Sequence, residues 1–344
     1  MDYQDASRRS RWLRAVSMAI TLVVAPSPAL SQNSPAFDLP VKCGAEQPCF
    51  LQNLMDMDSG PSKRDPLCHA ATYDGHKGTD IRLRNFREIQ TRGHVYAMAD
   101  GVVTAVRTNM ADRLMVTEQD QARIKGRECG NGLAIDYGVI KGAQYTSQLC
   151  HFARGSIKLR AGDRVKRGQL LGRIGLSGAT EFPHVHFSMR QNGKLIDPIT
   201  GRFADQPCTE GDFSNSLFSA AALEPLLDTG FQPLLEDGFA DGPVNGMQIL
   251  TSQTRPPSRS SPFVYFVQFI NLRRGDYLDL SIIGPNGPVS NNQSKPLDRN
   301  KASFTAYIGK RNPPPPGTYQ GTVKLVRNGE VVYSHTSKPF DFRK

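Results

Sequence analysis

Short apolar runs separated by glycine-containing turns fill residues 76–200, and this pattern constrains the fold more than any other feature of the chain. β-branched and aromatic residues recur within the runs, and no helical period of useful length interrupts them. Such spacing predicts a compact all-β domain. The runs read HVYAMADGVVTAVRT, GLAIDYGVI, QYTSQLCHF, DRVKRGQLLGRIG and HVHFSMRQNGKLIDPI.

A second group of strand patterns extends from about residue 260 to residue 344. Roughly six short runs with regular turns predict a β-sandwich resembling immunoglobulin-like modules, without the cysteine and tryptophan core of true ones. The RNGE turn between Val326 and Val331 predicts a hairpin. NPPPPG at 312–317 is interpreted as a stiff loop between two strands rather than as a polyproline ligand.

The chain is long enough for two such domains, since it has 344 residues of which 38% are hydrophobic. The residues between the two β-rich regions contain a helix candidate near Leu217–Leu227 and are interpreted as a linker. The predicted division is a signal peptide at 1–31, an irregular segment at 32–73, a β-rich domain at 74–200, a linker at 201–250 and a β-sandwich at 251–344.

The N-terminus has the pattern of a secretory signal peptide. Four arginines precede an apolar stretch from Ala15 to Ala25, and small residues follow at Ala29 and Ser31. The stretch is too short to span a bilayer, which argues against a retained anchor. The first cysteine, Cys43, is too far along for a lipid-modified N-terminus. The sequence therefore predicts a periplasmic or secreted protein without stable membrane insertion.

Export changes the interpretation of the cysteines, because thiols in an oxidising compartment tend to pair. Cys43 and Cys49 are close enough in sequence to close a small loop, and this is the one pairing we predict. No CxxC motif occurs, which argues against a cysteine-rich metal site. The six cysteines, enough for three disulfides, are Cys43, Cys49, Cys68, Cys129, Cys150 and Cys208.

The chain carries a formal charge of +10, of which the signal contributes +2 and the remainder +8. A positive excess favours an anionic partner through long-range attraction. For an exported protein that partner is a cell-wall polymer or an anionic membrane surface ahead of nucleic acid. A solvated surface that aids solubility explains the excess equally well.

The stretch GHKGTDIRL at 75–83 places His76 and Asp80 four positions apart across a glycine. Gly75 and Gly78 disfavour a helix by about 1 kcal/mol each relative to alanine, so the stretch is interpreted as a loop entering a strand. Residues four apart in an extended chain share one face. His76 and Asp80 can therefore point at the same object.

The stretch FPHVHFSMR offers two further candidates. In a strand, His184 and His186 lie on one face while the apolar residues between and after them lie on the other. Neutral imidazoles and one carboxylate are a ligand set that suits zinc, which in catalytic sites takes three protein ligands and keeps one open position. A structural histidine pair is the alternative for His184 and His186 alone.

Six motifs in order over residues 74–198 resemble the lysostaphin-type, or LytM-type, zinc metallopeptidases, which cut peptide cross-links in bacterial peptidoglycan. Each motif by itself is only a hypothesis, and their order makes the resemblance specific. The motifs are HKGTD, VYAMADGVV, LCHF, AGDRVKRGQLLGRIGLSGAT, PHVHF and GKLIDPI.

The resemblance implies an antiparallel β-sheet catalytic domain, related to a hybrid barrel, and one Zn²⁺ per chain. It assigns the metal ligands to His76, Asp80 and His186, and catalytic roles beside the zinc-bound water to His151 and His184. It further implies an exported zinc endopeptidase acting on peptidoglycan peptide stems. The C-terminal module is expected to dock on the wall, to recruit another cell-wall protein, or to shield the groove; a nucleic-acid partner is not expected.

Some positions depart from the family pattern without removing a ligand. Phe182 stands where glycine usually precedes the proline, Ser188 where a glutamate often follows, and Leu149 where a tyrosine often precedes the histidine segment. These departures put substrate preference in doubt. Glu181 is expected to line the groove, and Cys150 to be a half-cystine rather than a nucleophile. Three histidines are given ordinary surface or packing roles: His69, His94 and His335.

Three other functions remain open at this point. Non-catalytic members of the same superfamily lose metal ligands and regulate wall hydrolases, and the retention of all five site residues argues against that alternative. A biotinyl- or lipoyl-like carrier domain has similar turns, but this chain lacks a lysine at the usual hairpin tip. An amidohydrolase-type metal site usually has its H-x-H early in the chain, whereas His184 and His186 come last of the candidates.

Overall fold

A computed structural model describes residues 37–343, so the predicted signal peptide at 1–31 lies outside the described residues. Antiparallel strands dominate the structure, as the sequence predicts, and the helices are short. None of the helices within 37–343 is long and apolar enough to cross a membrane. The helices are α1 Glu88–Thr91, α2 Glu118–Ile124, α3 Ala220–Thr229 and α4 Gly246–Leu250.

The strands fall into two groups, one before and one after α3. The first group is β1 Phe50–Asn53, β2 Thr79–Arg82, β3 His94–Tyr96, β4 Gly101–Arg107, β5 Asn131–Ile140, β6 Ala143–Phe152, β7 Arg164–Val165, β8 Leu170–Arg173, β9 His184–Gln191 and β10 Lys194–Ile196. The second is β11 Leu234–Ala240, β12 Phe263–Leu272, β13 Tyr277–Gly284, β14 Gly287–Gln293, β15 Lys301–Lys310, β16 Gly317–Arg327, β17 Glu330–Thr336 and β18 Phe340–Phe342.

The first group builds a large antiparallel sheet with the order β1-β2-β9-β6-β5-β4-β7, and β10 pairs with β9. A separate ribbon of β3 and β8 packs beside it. The HVYAMADGVV run thus forms two strands, β3 and β4, rather than one. Strand β9 lies between β2 and β6, so the two strands that carry the FPHVHF and HKGTD motifs are direct neighbours.

The second group forms a β-sandwich, which confirms the predicted fold class. One sheet has the order β11-β12-β15, and the other has the order β14-β13-β16-β17 with β18 paired to β16. Alternate residues of β13, Leu278, Leu280 and Ile282, are buried between the two sheets together with Phe263 and Val323. The RNGE turn joins β16 to β17 with Val326 opposite Val331, as predicted.

Three disulfides join the six cysteines. Cys43 pairs with Cys49, which confirms the one pairing predicted from the sequence. Cys150 pairs with Cys129 and is therefore a half-cystine, as expected. The remaining bridge, Cys68–Cys208, ties the N-terminal segment to the residues that follow β10.

Two strands lie in predicted non-domain segments but pair with strands of a neighbouring domain. The predicted domain boundaries themselves stay a prediction. Strand β1, in the segment interpreted as irregular, is the edge strand of the large sheet and pairs with β2. Strand β11, in the segment interpreted as a linker, pairs with β12 and belongs to the sandwich. Helix α3 overlaps the predicted helix candidate but begins at Ala220 rather than Leu217, where the Ser219 hydroxyl caps it by accepting from the Ala222 N–H at 3.2 Å.

Asp197 is a fully buried carboxylate in the GKLIDPI segment. Its Oδ2 accepts from the Thr200 N–H and hydroxyl at 2.8 and 2.7 Å, while its Oδ1 has no hydrogen-bond partner among residues 37–343. Burial raises the pKa of Asp197 to about 6. Between about pH 4 and pH 6, Asp197 is therefore protonated in the folded state but ionised in the unfolded chain.

Asp197→Asn is therefore expected to change how stability depends on pH. In the wild type, this group's contribution to the free energy of unfolding falls as pH rises from about 4 to about 6, by roughly 3 kcal/mol at most. The amide cannot titrate, so the wild-type minus variant difference should decline across that window and be flat above it. Urea unfolding at several pH values checks this. The exposed Asp205→Asn serves as the matched control, and a constant difference for Asp197→Asn across pH 4–7 would contradict the expectation.

Candidate metal centre

Strand register brings the predicted ligands together. In the antiparallel pair of β2 and β9, Asp80 lies directly opposite His186 and Arg82 lies opposite His184. Directly opposite residues of an antiparallel pair project from the same face. The alternation of β9 therefore puts both of its histidines on the face that Asp80 occupies, as the sequence predicts. His76 reaches the same face from the turn just before β2.

Three potential ligand atoms converge at this point. The Oδ1 of Asp80 lies 2.8 Å from His186 Nδ1 and 3.2 Å from His76 Nε2, and the two nitrogens are 3.1 Å apart. These residues form the one group of three or more metal-binding side chains found within 37–343. Two imidazole nitrogens and one carboxylate oxygen fit a zinc ion, which favours such a donor set. We call these three residues the ligand trio.

Hydrogen bonds outside the trio fix how its members are oriented. Nδ1 of His76 donates to the Leu54 carbonyl at 2.7 Å, so the proton is on Nδ1 and the Nε2 lone pair faces the centre. Asp80 Oδ2 accepts from the Asn53 side-chain amide at 2.8 Å, which leaves Oδ1 for the trio. Partners of this kind orient metal ligands and raise their basicity.

His151 and His184 lie beside the trio with their ring centroids 4.5 Å apart. Nδ1 of His151 donates to the Ser177 carbonyl at 2.8 Å, and Nδ1 of His184 donates to the Phe182 carbonyl at 2.9 Å. Each ring therefore has its Nε2 lone pair free. That of His184 is 3.6 Å from Asp80 Oδ1. His151 has a left-handed backbone conformation (φ 64°), which is uncommon for a residue with a side chain.

Burial and neighbouring charges shift the pKa values of the trio and of the two histidines beside it. Burial opposes the charge on Asp80, but the surrounding imidazoles of His76, His184 and His186 hold the pKa of its carboxyl well below the usual value. Burial lowers the pKa of His151 far below its usual value, and neighbouring imidazoles lower it further. Burial also lowers the pKa of His184. Although burial opposes a charge on its ring, the Asp80 carboxylate raises the pKa of His76, so a metal ion that binds there would displace a proton whenever this ligand is charged.

Gly78 of the HKGTD motif is required by close packing under the trio. A Cβ at this position would lie 2.4 Å from the Phe187 carbonyl oxygen and 2.8 Å from the His186 Cε1 atom. Neither the strand backbone nor the ligand ring can move aside without changing the register of β2 against β9 or the position of His186.

We therefore expect Gly78→Ala to weaken metal binding by at least about tenfold, because displaced support of a ligand costs about 10–100-fold in affinity. Zinc titration of the purified protein with a competing chelator measures the effect. Gly75→Ala is the control: its Cβ would have no neighbour within 4 Å, although its φ of +74° adds some strain. Equal zinc affinity in Gly78→Ala and the wild type would contradict the expectation.

Sequence reasoning missed three residues that contact the site. Asn53 precedes the quoted motifs and carries no sequence signal of its role on Asp80. Tyr73 stacks on His76 with ring centroids 4.6 Å apart and is half exposed. Thr180 donates to the Phe182 carbonyl and contacts His184 Nδ1 at 3.0 Å. Thr180 lies in the quoted AGDRVKRGQLLGRIGLSGAT motif, so its place there was a usable signal.

The residues that depart from the family pattern have structural roles. The Phe182 ring lies against His184, with centroids 4.7 Å apart, and its other neighbour is the Arg82 guanidinium, 4.3 Å from the ring centroid. Leu149 is fully buried in the core, and Ser188 is buried on β9. Of the histidines given ordinary roles, His335 contacts Asp237 at 3.4 Å, and none of His69, His94 and His335 joins the trio.

The trio opens into a cleft of about 1620 Å³. Asp80, His151, His184 and His186 line it, and so does Glu181, as predicted. Residues of the sandwich line the same cleft, among them Asn271 and Tyr333. The cleft is thus bounded by both β-rich regions of the chain.

The family model described as peptidase family M23 matches residues 74–198. Residues 74–198 are thus similar to the catalytic domains of peptidase family M23. This confirms the resemblance seen in the six sequence motifs, which span the same residues.

Two curated relatives are similar to part of the chain. DD-carboxypeptidase/endopeptidase Mpg of Neisseria meningitidis is 26% identical over 147 residues, which are 43% of this chain and 27% of that protein. An uncharacterized metalloprotease of Haemophilus influenzae is 26% identical over 157 residues, 45% of this chain and 26% of that protein. The chain therefore matches about a quarter of the length of each relative.

Two solved structures of catalytic domains are also similar. A mutant catalytic domain of the prophage-encoded M23 protein EnpA from Enterococcus faecalis is 20% identical, covering 46% of this chain and 95% of that one, with a TM-score of 0.29. The catalytic domain of lysostaphin from Staphylococcus simulans is 21% identical, covering 34% and 68%, with a TM-score of 0.23.

Proposed function

We propose that this protein is an exported, zinc-dependent endopeptidase that hydrolyses peptide cross-links of bacterial peptidoglycan. The observation that carries the proposal is the convergence of one carboxylate and two imidazole nitrogens, within 4.8 Å of one another, beside a large cleft that Asp80 and His186 line. The similarity to peptidase family M23 and the two peptidase relatives support the reaction class. The signal pattern and the three disulfides support action in an oxidising compartment outside the cytoplasm.

His76, Asp80 and His186 would hold the ion, as one Zn²⁺ per chain. When bound, zinc lowers the pKa of water and polarises a peptide carbonyl. The trio's two imidazoles are held in place by β9 and by the Leu54 carbonyl, so the ion's position relative to the cleft is set by backbone structure.

His151 and His184 would perform the proton transfers. Each has its proton on Nδ1, bonded to a backbone carbonyl, so each presents an unprotonated Nε2. A neutral imidazole can take a proton from the attacking water and, once charged, can stabilise the developing oxyanion or protonate the leaving amine. Their lowered pKa values keep both rings neutral and able to accept at neutral pH.

The proposal is tested by measuring the metal content of the mature protein together with its release of fragments from purified peptidoglycan, with and without a chelator. We expect zinc near one per chain and cleavage that the chelator removes and added zinc restores. Absence of zinc, with a wild-type phenotype for His76→Ala, would overturn the proposal in favour of a non-catalytic regulator of wall hydrolases. Stoichiometric zinc without cleavage of any peptidoglycan tested would overturn the assigned substrate while leaving the metal site.

A further inference from the structure

The C-terminal sandwich contributes a cationic wall to the cleft of the ligand trio. The sandwich residues that line the cleft include four basic side chains and no carboxylate. On the opposite side of the cleft, the carboxylates of Asp80, Glu118, Glu128 and Glu181 outnumber the two lysines, Lys63 and Lys125. The two sides of the cleft therefore carry net charges of opposite sign. The four basic residues, which we call the cationic wall, are Arg273, Arg299, Lys301 and Arg327.

Strand β1 holds this wall in a fixed position relative to the trio. On one edge, β1 pairs with β2, and Asn53 donates to Asp80. On the other side, the Gln52 amide donates to the Ala302 carbonyl at 2.9 Å. The Asn271 side chain in turn donates to the Leu51 carbonyl at 3.0 Å. Three consecutive residues of β1 thus connect a ligand of the trio to the two sandwich segments that carry the wall.

Apolar packing reinforces that connection. Phe50 of β1, Leu235 of β11 and Ile270 of β12 form a buried cluster of their own. Because Ile270 lies three residues before Arg273, this cluster also fixes the position of the backbone that carries Arg273. The wall is consequently part of a continuous surface and not a separate module on a free tether.

The wall contains one cation with a structural partner and one without. Arg327 makes a two-point ion pair with the fully buried Asp276, at 2.9 and 2.8 Å. Arg273 is half-buried and makes no side-chain ion pair or hydrogen bond with any residue of 37–343. Burial and the nearby Arg327 lower the pKa of Arg273, whereas the carboxylates of Asp276, Asp65 and Glu210 act in the opposite direction without forming a direct ion pair with its side chain. The guanidinium can therefore still form a direct ion pair with a ligand carboxylate in the cleft.

Arg299 and Lys301 complete the wall. Arg299 is exposed and, like Arg273, forms no side-chain ion pair within the described chain, while Lys301 contacts the exposed Asp298 at 3.1 Å. Only the Asp298 partner is exposed, while Lys301 is half-buried; solvent at Asp298 weakens the pair, so a ligand carboxylate can compete for Lys301. Three of the four cations are therefore available to an anionic group in the cleft.

We propose that the cationic wall is a carboxylate-binding subsite, which takes a free carboxylate of the substrate peptide while the scissile bond lies at the trio. This inference rests on the proposed function for the identity of the peptide. The acidic side chains on the other side of the cleft disfavour the opposite orientation, so the subsite also sets the direction in which the peptide lies.

The test uses a triple variant, Arg273→Gln, Arg299→Gln and Lys301→Gln, in the full mature chain. Arg327 is left in place because its loss would leave Asp276 as an unpaired buried charge. The control variant removes two arginines and one lysine that are exposed on the sandwich outside the cleft: Arg259→Gln, Arg311→Gln and Lys338→Gln. Thermal unfolding shows whether both variants fold like the wild type.

The probes are fluorescently labelled cross-linked peptides released from purified peptidoglycan by a muramidase, either untreated or with their carboxylates amidated. Binding is measured by anisotropy in the His151→Ala background, where cleavage is expected to be slow. We expect the wall variant to bind the untreated peptide about tenfold more weakly, with the difference shrinking as salt rises. The control variant should stay within about twofold of its parent. The losses of affinity caused by amidation of the peptide and by the wall substitutions should not be additive, since both changes remove the same contact.

An equal loss in the wall and control variants, or a loss that amidation leaves unchanged, would overturn the subsite. Cleavage is measured in parallel with the wild type and with the wall variant, both of which keep His151. This second measurement distinguishes failure of the subsite from failure of the proposed function. Salt-sensitive, carboxylate-dependent binding without any cleavage would retain the subsite and overturn the endopeptidase. Normal cleavage of both peptides by the wall variant, with unchanged KM, would overturn the subsite and retain the endopeptidase.

Discussion

Replacing Asp80 with asparagine is expected to remove bound zinc and to reduce peptidoglycan cleavage below detection. The amide keeps the volume of the side chain, so the packing between β2 and β9 should survive, but it removes the charge that both imidazoles face. Loss of a hydrogen-bonding partner of a ligand already costs about 10–100-fold in metal affinity, and loss of a ligand should cost more. Zinc content by elemental analysis and fragment release measure the two effects.

The exposed Asp74→Asn, which lies outside the cleft lining, is the matched control and should hold zinc and cleave normally. Thermal unfolding without zinc separates loss of the ion from loss of the fold. An Asp80→Asn protein that still holds zinc near one per chain and cleaves at the wild-type rate would show that Asp80 is not a ligand.

Removing the imidazole of His151 or of His184 is expected to lower kcat while zinc stays bound. Neither ring belongs to the trio, and each is anchored to a backbone carbonyl rather than to another ligand. A positioned general acid or base contributes about 10²–10⁴-fold, so each alanine variant should lose activity within that range. The double variant should lose less than the product of the two, because the residues act on the same proton transfers.

His94→Ala is the control for this pair, since His94 opens β3 and is not among the residues that line the cleft. Steady-state kinetics and zinc content are measured on the same preparations. A variant that loses its zinc along with its activity would indicate a ligand role for that histidine. Unchanged kcat in both single variants would rule out the proposed proton transfers.

The candidate site was predictable from sequence because its chemistry is concentrated in short motifs. HKGTD and PHVHF each hold two of the residues concerned, and strand alternation alone puts His184 and His186 on one face. The isolated His151 was different. Nothing local to LCHF distinguishes it from an ordinary strand histidine, and only the resemblance assigned its role.

Other features depended on contacts between residues far apart in the chain. Asn53 reaches Asp80 because β1 pairs with β2, yet FLQN has no motif that predicts this. The strand β11 was hidden in a segment interpreted as a linker, because its glycine and acidic residues weaken the strand signal. Strand β11 forms because it pairs with β12, which is a tertiary contact.

By itself, the sequence determined the all-β class, the two β-rich regions, the small Cys43–Cys49 loop and four of the five candidate site residues, since period-2 alternation, turn chemistry and closely spaced motifs are local properties. Only the tertiary structure decided that β1 lies between the trio and the sandwich, that Cys68 pairs with Cys208, and that Arg273 and Arg299 share a cleft with Asp80. Those facts follow from strand register and from burial of apolar surface between distant segments, such as Phe50 against Ile270, which no local pattern encodes.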